Sequence, residues 1–174
     1  HIPVLQKEVI EFLKPEPEKN FVDCTLGEGG HSLAILEKTA PSGKVIGIER
    51  DPEMIEKTKI KLGNYLEAAG WKKERMIFIC DNFSNLKAIV ESCNFKTNGF
   101  LFDLGFSSWH LEKSNRGFSF QQEERLDMRY NPKSNDLTAK KIINEFSQEK
   151  IEKIIKEYGE ERFCRKIANK IVEE

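Results

Sequence analysis

Short apolar runs alternate along the first hundred residues with stretches whose apolar positions recur every three or four residues. Runs beginning at Phe21-Val22 and at 44–49, 76–80 and 100–105 read as buried strands. Between them, helical spacing places Val9, Ile10, Phe12 and Leu13 on a short helix stopped by Lys14-Pro15, and Leu33 with Leu36 on a second. A third follows Asp51-Pro52, a cap with proline at the first helical position, and carries Ile55, Leu62, Tyr65 and Leu66 inward. Leu86, Ile89, Val90 and Cys93 make the stripe of a fourth. Strands that are apolar throughout and alternate with helices predict an α/β fold, a parallel sheet covered on both faces, with the first helix over one sheet edge.

From Trp109 the period changes. Residues 114–132 mix aromatics and arginines without a regular pattern, as functional or mobile segments do. Thr138 then caps a helix bearing Ala139, Ile142, Ile143 and Phe146. Ser147 caps the next, with Ile151, Ile154, Ile155 and Tyr158, closed by Gly159. The last begins near Glu160 and turns Phe163, Ile167 and Ile171 inward. The division expected is 1–108 and 109–174, the second a loop and the start of a helical domain. A first residue other than methionine, and a helical pattern still running at 171–174, read as a fragment.

Charge adds little to this picture. Charged residues are 33% of the 174 but nearly cancel, at a net charge of −1, so a nucleic-acid partner would be held by local patches. Lys72-Lys73-Arg75, Arg125 with Arg129, and Lys140-Lys141 are such patches, and each also reads as a solvated face. The four cysteines have no metal-ligand spacing, so no metal site is expected and the thiols read as reduced, mostly buried hydrophobes. With no secretory segment and no apolar run near the length of a membrane span, the expected location is cytoplasmic.

Candidate chemistry begins where the first strand runs into Asp23-Cys24-Thr25-Leu26-Gly27-Glu28-Gly29-Gly30-His31-Ser32. A strand, a glycine turn and a helix N-terminus are the parts of a Rossmann-like crevice, although an ordinary glycine-rich turn has the same composition. A dinucleotide fingerprint would place a third glycine at position 32, which is Ser32. Asp23 and Glu28 suit a ligand carrying an ammonium and a sulfonium better than a pyrophosphate. Glu49, about twenty residues on at the end of the second strand, stands where an acid accepts from a ribose diol. Asp81-Asn82-Phe83 and Asp103 end the third and fourth strands, so the acids gather at one sheet edge beside the glycines.

Six ordered motifs carry a wider likeness: His1-Ile2-Pro3-Val4-Leu5, Gly27-Glu28-Gly29-Gly30-His31-Ser32, Phe102-Asp103-Leu104-Gly105-Phe106-Ser107-Ser108, Arg116-Gly117-Phe118-Ser119-Phe120, Leu126-Asp127-Met128-Arg129 and Gly159-Glu160-Glu161-Arg162. Together they resemble the MraW/RsmH family of S-adenosylmethionine-dependent methyltransferases, which modify N4 of a cytidine in the decoding region of small-subunit ribosomal RNA. The resemblance implies a class I, Rossmann-like methyltransferase sheet with its first four strands present, interrupted by a helical insertion and resuming later. It implies S-adenosylmethionine against Gly29, Gly30, His31, Glu49, Phe83, Asp103 and His110, and small-subunit ribosomal RNA or the assembling subunit as partner. The family generally has aspartate where Glu49 stands and glutamine where His110 stands.

A sulfonium needs little acid catalysis, so the work lies in placing the acceptor in line and taking up a proton. Asp103, with Leu104-Gly105 and the hydroxyls of Ser107-Ser108, is the expected catalytic group, and binding the cofactor is its other role. Phe106 or Trp109 is a candidate platform for a base turned out of its helix, or a core residue. Arg116, Arg125 and Arg129 would meet RNA phosphates or pair with Glu123, Glu124 and Asp127. The rival readings are an NAD(P)-dependent oxidoreductase and a non-catalytic RNA- or ribosome-binding protein.

Overall fold

The computed structural model describes residues 3–174, so His1 and Ile2 of the first motif lie outside the described residues. Two compact units follow one another, the first running through Ser107 and the second over Ser108–Glu174. In the first, β1 (Phe21–Asp23), β2 (Val45–Glu49), β3 (Met76–Cys80) and β4 (Gly99–Leu101) form a parallel sheet in the order β3-β2-β1-β4. Helices α1 (Gln6–Leu13), α2 (Gly30–Lys38), α3 (Pro52–Ala68) and α4 (Leu86–Ser92) intervene. This is the α/β architecture expected, and its strand order is the 3-2-1-4 run of a doubly wound nucleotide-binding sheet.

Period-two alternation explains the two cores. Phe21, Val45, Met76 and Leu101 project to one face, where they pack with Ile35, Leu36, Ile55 and Leu62. Val22, Ile46 and Ile48 project to the other, onto Ile89 and Phe95. In-register pairs Phe21↔Val45 and Val22↔Phe100 keep each set aligned across the strands. Cover is complete over β1 and β2 only: α4 is a short helix with one buried residue, Ile89, and Phe100 on β4 remains 44% exposed. Val9, Ile10 and Leu13 of α1 lean on the first core, with Leu13 beside Gly99 at the β4 edge.

Several local expectations change. Strand β4 stops at Leu101 instead of 105, because Cys24 N–H takes the Leu101 carbonyl (2.9 Å) and the next main-chain donor, at Asp103, turns to Thr25 Oγ1 (2.8 Å). Tyr65 is 41% exposed and donates its hydroxyl to Glu37 (3.0 Å); Met54 and Thr58 take the inward positions on α3 beside Ile55 and Leu62. Helix α2 begins three residues before Leu33 and buries Ile35 and Leu36. Of the cysteines, Cys24 and Cys164 are buried, Cys93 is half-buried and Cys80 is exposed.

The second unit contains α5 (Ser108–Glu112), α6 (Ala139–Glu145), α7 (Gln148–Gly159) and α8 (Cys164–Glu173). Thr138 and Ser147 cap α6 and α7 as expected, accepting from Lys141 and Lys150 N–H. The left-handed residue that ends α7 is Glu160 (φ 49°), not Gly159, one position beyond the glycine. Helix α8 turns Cys164 and Ala168 inward, while Phe163 and Ile167 are 53% and 39% exposed.

The segment between α5 and α6 is irregular yet closely bonded. Arg129 forks onto Asp127 (Nε–Oδ1 2.7 Å, Nη2–Oδ2 2.6 Å) and its Nη1 donates to the carbonyls of Pro132 and Asn135. Arg116 Nη1 donates to the Tyr130 carbonyl (2.9 Å), and Gly117 N–H to Glu124 Oε2 (2.6 Å). Arg129 therefore pairs with Asp127, as one of the two sequence readings had it, while Arg116 fastens the loop through main-chain carbonyls.

The hydrogen bond from Arg129 holds the Asp127 carboxyl below its ordinary range. A carboxylate depressed in the folded state stabilises it above the unfolded value near about pH 4, and that contribution is lost as pH falls through the folded value. Protection of the Met128 and Ala139 amides from hydrogen exchange, relative to a free peptide, comes from bonds to the Arg116 and Asp127 carbonyls and is accordingly expected to be lost only at strongly acidic pH. In Asp127→Asn it is expected to be low already at neutral pH.

Candidate active site at the carboxyl ends of the strands

Three strand ends converge on the glycine loop. The Gly27 N–H donates to Glu49 Oε2 (3.0 Å), which ties the loop to the end of β2. The other carboxylate oxygen, Glu49 Oε1, accepts from Asp51 N–H (2.9 Å), and the side chain is buried. These two donors, one on each carboxylate oxygen, fix its orientation. Asp81 N–H donates to the Glu49 carbonyl (3.1 Å) and carries β3 to the same edge. There Asp81 Oδ1 accepts from Asn82 N–H and Asn85 Nδ2 within its own turn, so its carboxylate shapes the turn that presents Phe83. Phe83 is 40% exposed and meets Phe102 edge-on, with ring centroids 5.7 Å apart.

Gly29, the residue before α2, has φ 77°, and a Cβ there would lie 2.7 Å from Leu62 Cδ1. At Gly30 a Cβ would lie 2.3 Å from Pro3 Cγ. The glycines thus answer to packing against α3 and the N-terminal segment, and this close packing is what sets the path of the loop. The first turn of α2 has no side-chain cap, and its leading N–H groups, at Gly30, His31 and Ser32, have no acceptor inside the helix. Gly29→Ala combines a left-handed φ with this collision, and it is expected to lower stability by about 1–3 kcal/mol in urea unfolding.

Asp23, read from the sequence as a ligand-facing acid, is 1% exposed. Its Oδ2 accepts from Ser32 Oγ (2.7 Å) and its Oδ1 from Thr25 N–H (3.2 Å), and burial pushes its pKa up. The hydroxyl that replaces a third glycine therefore has an internal partner. Glu28 is half-buried, its carboxylate 3.8 Å from Lys61 Nζ. Burial also pushes the Cys24 thiol up to about 12, so this cysteine is no thiolate nucleophile at neutral pH.

His31 is 8% exposed, and among the described residues neither ring nitrogen has a hydrogen-bond partner; Nε2 stands 3.7 Å from Oδ2 of Asp103. Asp103 itself is half exposed. A buried imidazole with unmet hydrogen-bonding capacity beside an open carboxylate is a place where a polar ligand would be satisfied. Gly29, Gly30, His31, Glu49, Phe83 and Asp103 thus share one edge, linked through Gly27–Glu49, Glu49–Asp81, Phe83–Phe102 and Thr25–Asp103.

His110, the remaining residue of the expected cofactor set, belongs to the second unit. It is 2% exposed and packed against Trp109, Phe118 and Tyr130, with ring centroids 5.3, 5.3 and 4.5 Å away. Trp109 is 6% exposed and takes the core role, whereas Phe106 is 56% exposed. The Thr25 contact to Asp103 was missed from the sequence, where only a hydroxyl one residue beyond a buried strand end hinted at it.

The donor set fits a methyl-donor nucleoside. The Glu49 carboxylate suits a ribose diol, the exposed Phe83 face an adenine, and the uncapped N–H groups of α2 with His31 a carboxylate-bearing amino-acid tail. Among the described residues no three histidine, cysteine or acidic side chains are grouped to hold a metal ion, and no helix is long and apolar enough to cross a membrane.

Comparison with known proteins bears on this edge. The model of the MraW methylase family matches residues 1–174. Ribosomal RNA small subunit methyltransferase H of Thermotoga neapolitana is 45% identical over 175 residues, which cover 99% of this chain and 55% of that protein. The protein of the same name from Caldicellulosiruptor bescii is 46% identical over 99% of this chain and 54% of its own length. The chain therefore spans about half the length of the curated relatives it matches. Among solved structures, a putative rRNA-methylase from Clostridium thermocellum superposes with a TM-score of 0.42 at 20% identity, over 48% of this chain and 43% of that one.

Proposed function

Since the chain belongs to the MraW methylase family, we propose that the full-length protein transfers a methyl group from S-adenosylmethionine to N4 of a cytidine in the decoding region of small-subunit ribosomal RNA. The relatives whose names say that they methylate small-subunit ribosomal RNA support the substrate class. The observation that carries the reading is the linked edge, on which Gly27 and Thr25 of one loop bond Glu49 and Asp103 at the ends of two other strands.

In this reading Glu49 takes the ribose diol, Phe83 the adenine, and the α2 N-terminus with His31 the amino-acid tail. When bound, S-adenosylmethionine supplies a methyl carbon made electrophilic by its sulfonium. Asp103 accepts a hydrogen bond from the acceptor amine and aims it. On receiving that methyl group the acceptor amine would give up a proton, and the Asp103 carboxylate would take it. Leu104 and Phe106, 70% and 56% exposed beside Asp103, offer apolar surface to the pyrimidine. The expected location is the cytoplasm, where ribosomal subunits are assembled.

The test is nucleoside mass spectrometry of small-subunit RNA incubated with the full-length protein and S-adenosylmethionine. N4-methylcytidine is the expected product. A different methylated base overturns the acceptor assignment, and RNA binding without any transfer favours a non-catalytic role.

A further inference from the structure

Asp103 stands two residues beyond the last residue of β4, in irregular chain, with a side chain 48% exposed. A carboxylate so placed samples many positions unless its main chain is held. Among the described residues the hydrogen bond that holds it is the one from its N–H to Thr25 Oγ1, at 2.8 Å across 78 positions of sequence. Thr25 is anchored in turn: its own N–H donates to Asp23 Oδ1 (3.2 Å), and Asp23, 1% exposed, is secured by Ser32 Oγ (2.7 Å). Beyond the Cys24 N–H bond to the Leu101 carbonyl, which closes the β1–β4 ladder, the chain at Asp103 thus hangs from the buried end of β1 through one hydroxyl. His31 does not replace this anchor, since 3.7 Å from Nε2 to Asp103 Oδ2 exceeds hydrogen-bonding distance.

We propose that Thr25 is a positioning residue, whose hydroxyl oxygen fixes the Asp103 main chain so that its carboxylate meets the acceptor amine. The inference rests on the reading in which Asp103 takes that amine's proton. Thr25 touches neither the acceptor nor the methyl carbon; it acts through Asp103. Serine keeps the oxygen, and valine keeps the shape and removes it.

The test compares full-length wild-type, Thr25→Val, Thr25→Ser and Asp103→Asn proteins in steady-state transfer of labelled methyl to small-subunit RNA, together with hydrogen exchange at the Asp103 amide. Thr25→Val is expected to lower kcat by about 10- to 100-fold, to leave KM for S-adenosylmethionine within about twofold, and to accelerate exchange at Asp103. Thr25→Ser is expected to restore both kcat and protection. Full kcat in Thr25→Val alongside a crippled Asp103→Asn overturns the inference alone, as does a serine variant that restores neither quantity. Full kcat in Asp103→Asn overturns the reading beneath it, whatever exchange at the amide shows.

Discussion

Asp103→Asn is expected to lower kcat for methyl transfer by about 10²- to 10⁴-fold, the range for loss of a positioned proton acceptor, while binding S-adenosylhomocysteine within about tenfold of wild type. Asparagine preserves the size of the side chain and the N–H that bonds Thr25, so the local path of the chain is kept. It removes the negative charge and the site that receives the proton. A cytosine amine shares its lone pair with the ring and becomes acidic as the new bond forms, so a neutral amide in this place leaves the proton with no acceptor. The split between turnover and affinity is the point of the experiment. Equal losses in both would assign Asp103 to holding the cofactor, the second role the sequence allowed.

Glu49→Ala is expected to act on affinity and stability together. The Glu49 carboxylate accepts from Gly27 and Asp51 N–H groups at 3.0 and 2.9 Å and is 8% exposed. Charge-assisted bonds of this kind contribute about 1.5–3 kcal/mol each. Truncation removes both acceptors and the tie between the glycine loop and β2, so a loss of about 3 kcal/mol in urea unfolding is expected. Affinity for S-adenosylhomocysteine is expected to fall at least about tenfold, through the lost ribose acceptor and the loosened loop. Glu49→Gln separates the two effects: it retains one acceptor oxygen, and with it part of the stability, but lacks the charge.

What could be read from the sequence divides along physical lines. Buried parallel strands are apolar throughout because both faces are covered, so β1 and β2 announced themselves, and β3 did so by an equally apolar run although its cover is partial. So did α3, whose Asp51 accepts from Glu53 N–H (2.9 Å) ahead of Pro52. The end of β4 did not, because Phe102 and Leu104 prolong the apolar run while a hydroxyl 78 positions away captures the main chain. Arginines in a loop look alike whether they face phosphate or carbonyls; only the fold shows Arg129 enclosed by Asp127, Pro132 and Asn135. The glycine loop was legible as a loop, but the reason for its glycines was not. Gly29 answers to Leu62 and Gly30 to Pro3, contacts that no local pattern records. Asp23 was misjudged for a similar cause, since an acid at a strand end can face outward or, as here, lock a turn from within.

In the proposed reading the loop after β1 and the ends of β2, β3 and β4 form one cradle for the methyl donor. Hydrogen exchange of the full-length protein with and without S-adenosylhomocysteine tests it most directly. Exchange is expected to slow within this chain's first unit at 24–32, 49–51, 81–84 and 102–105, with no such pattern when NADH is added instead. Slowing confined to other segments of that unit, or the same slowing with NADH, would contradict it.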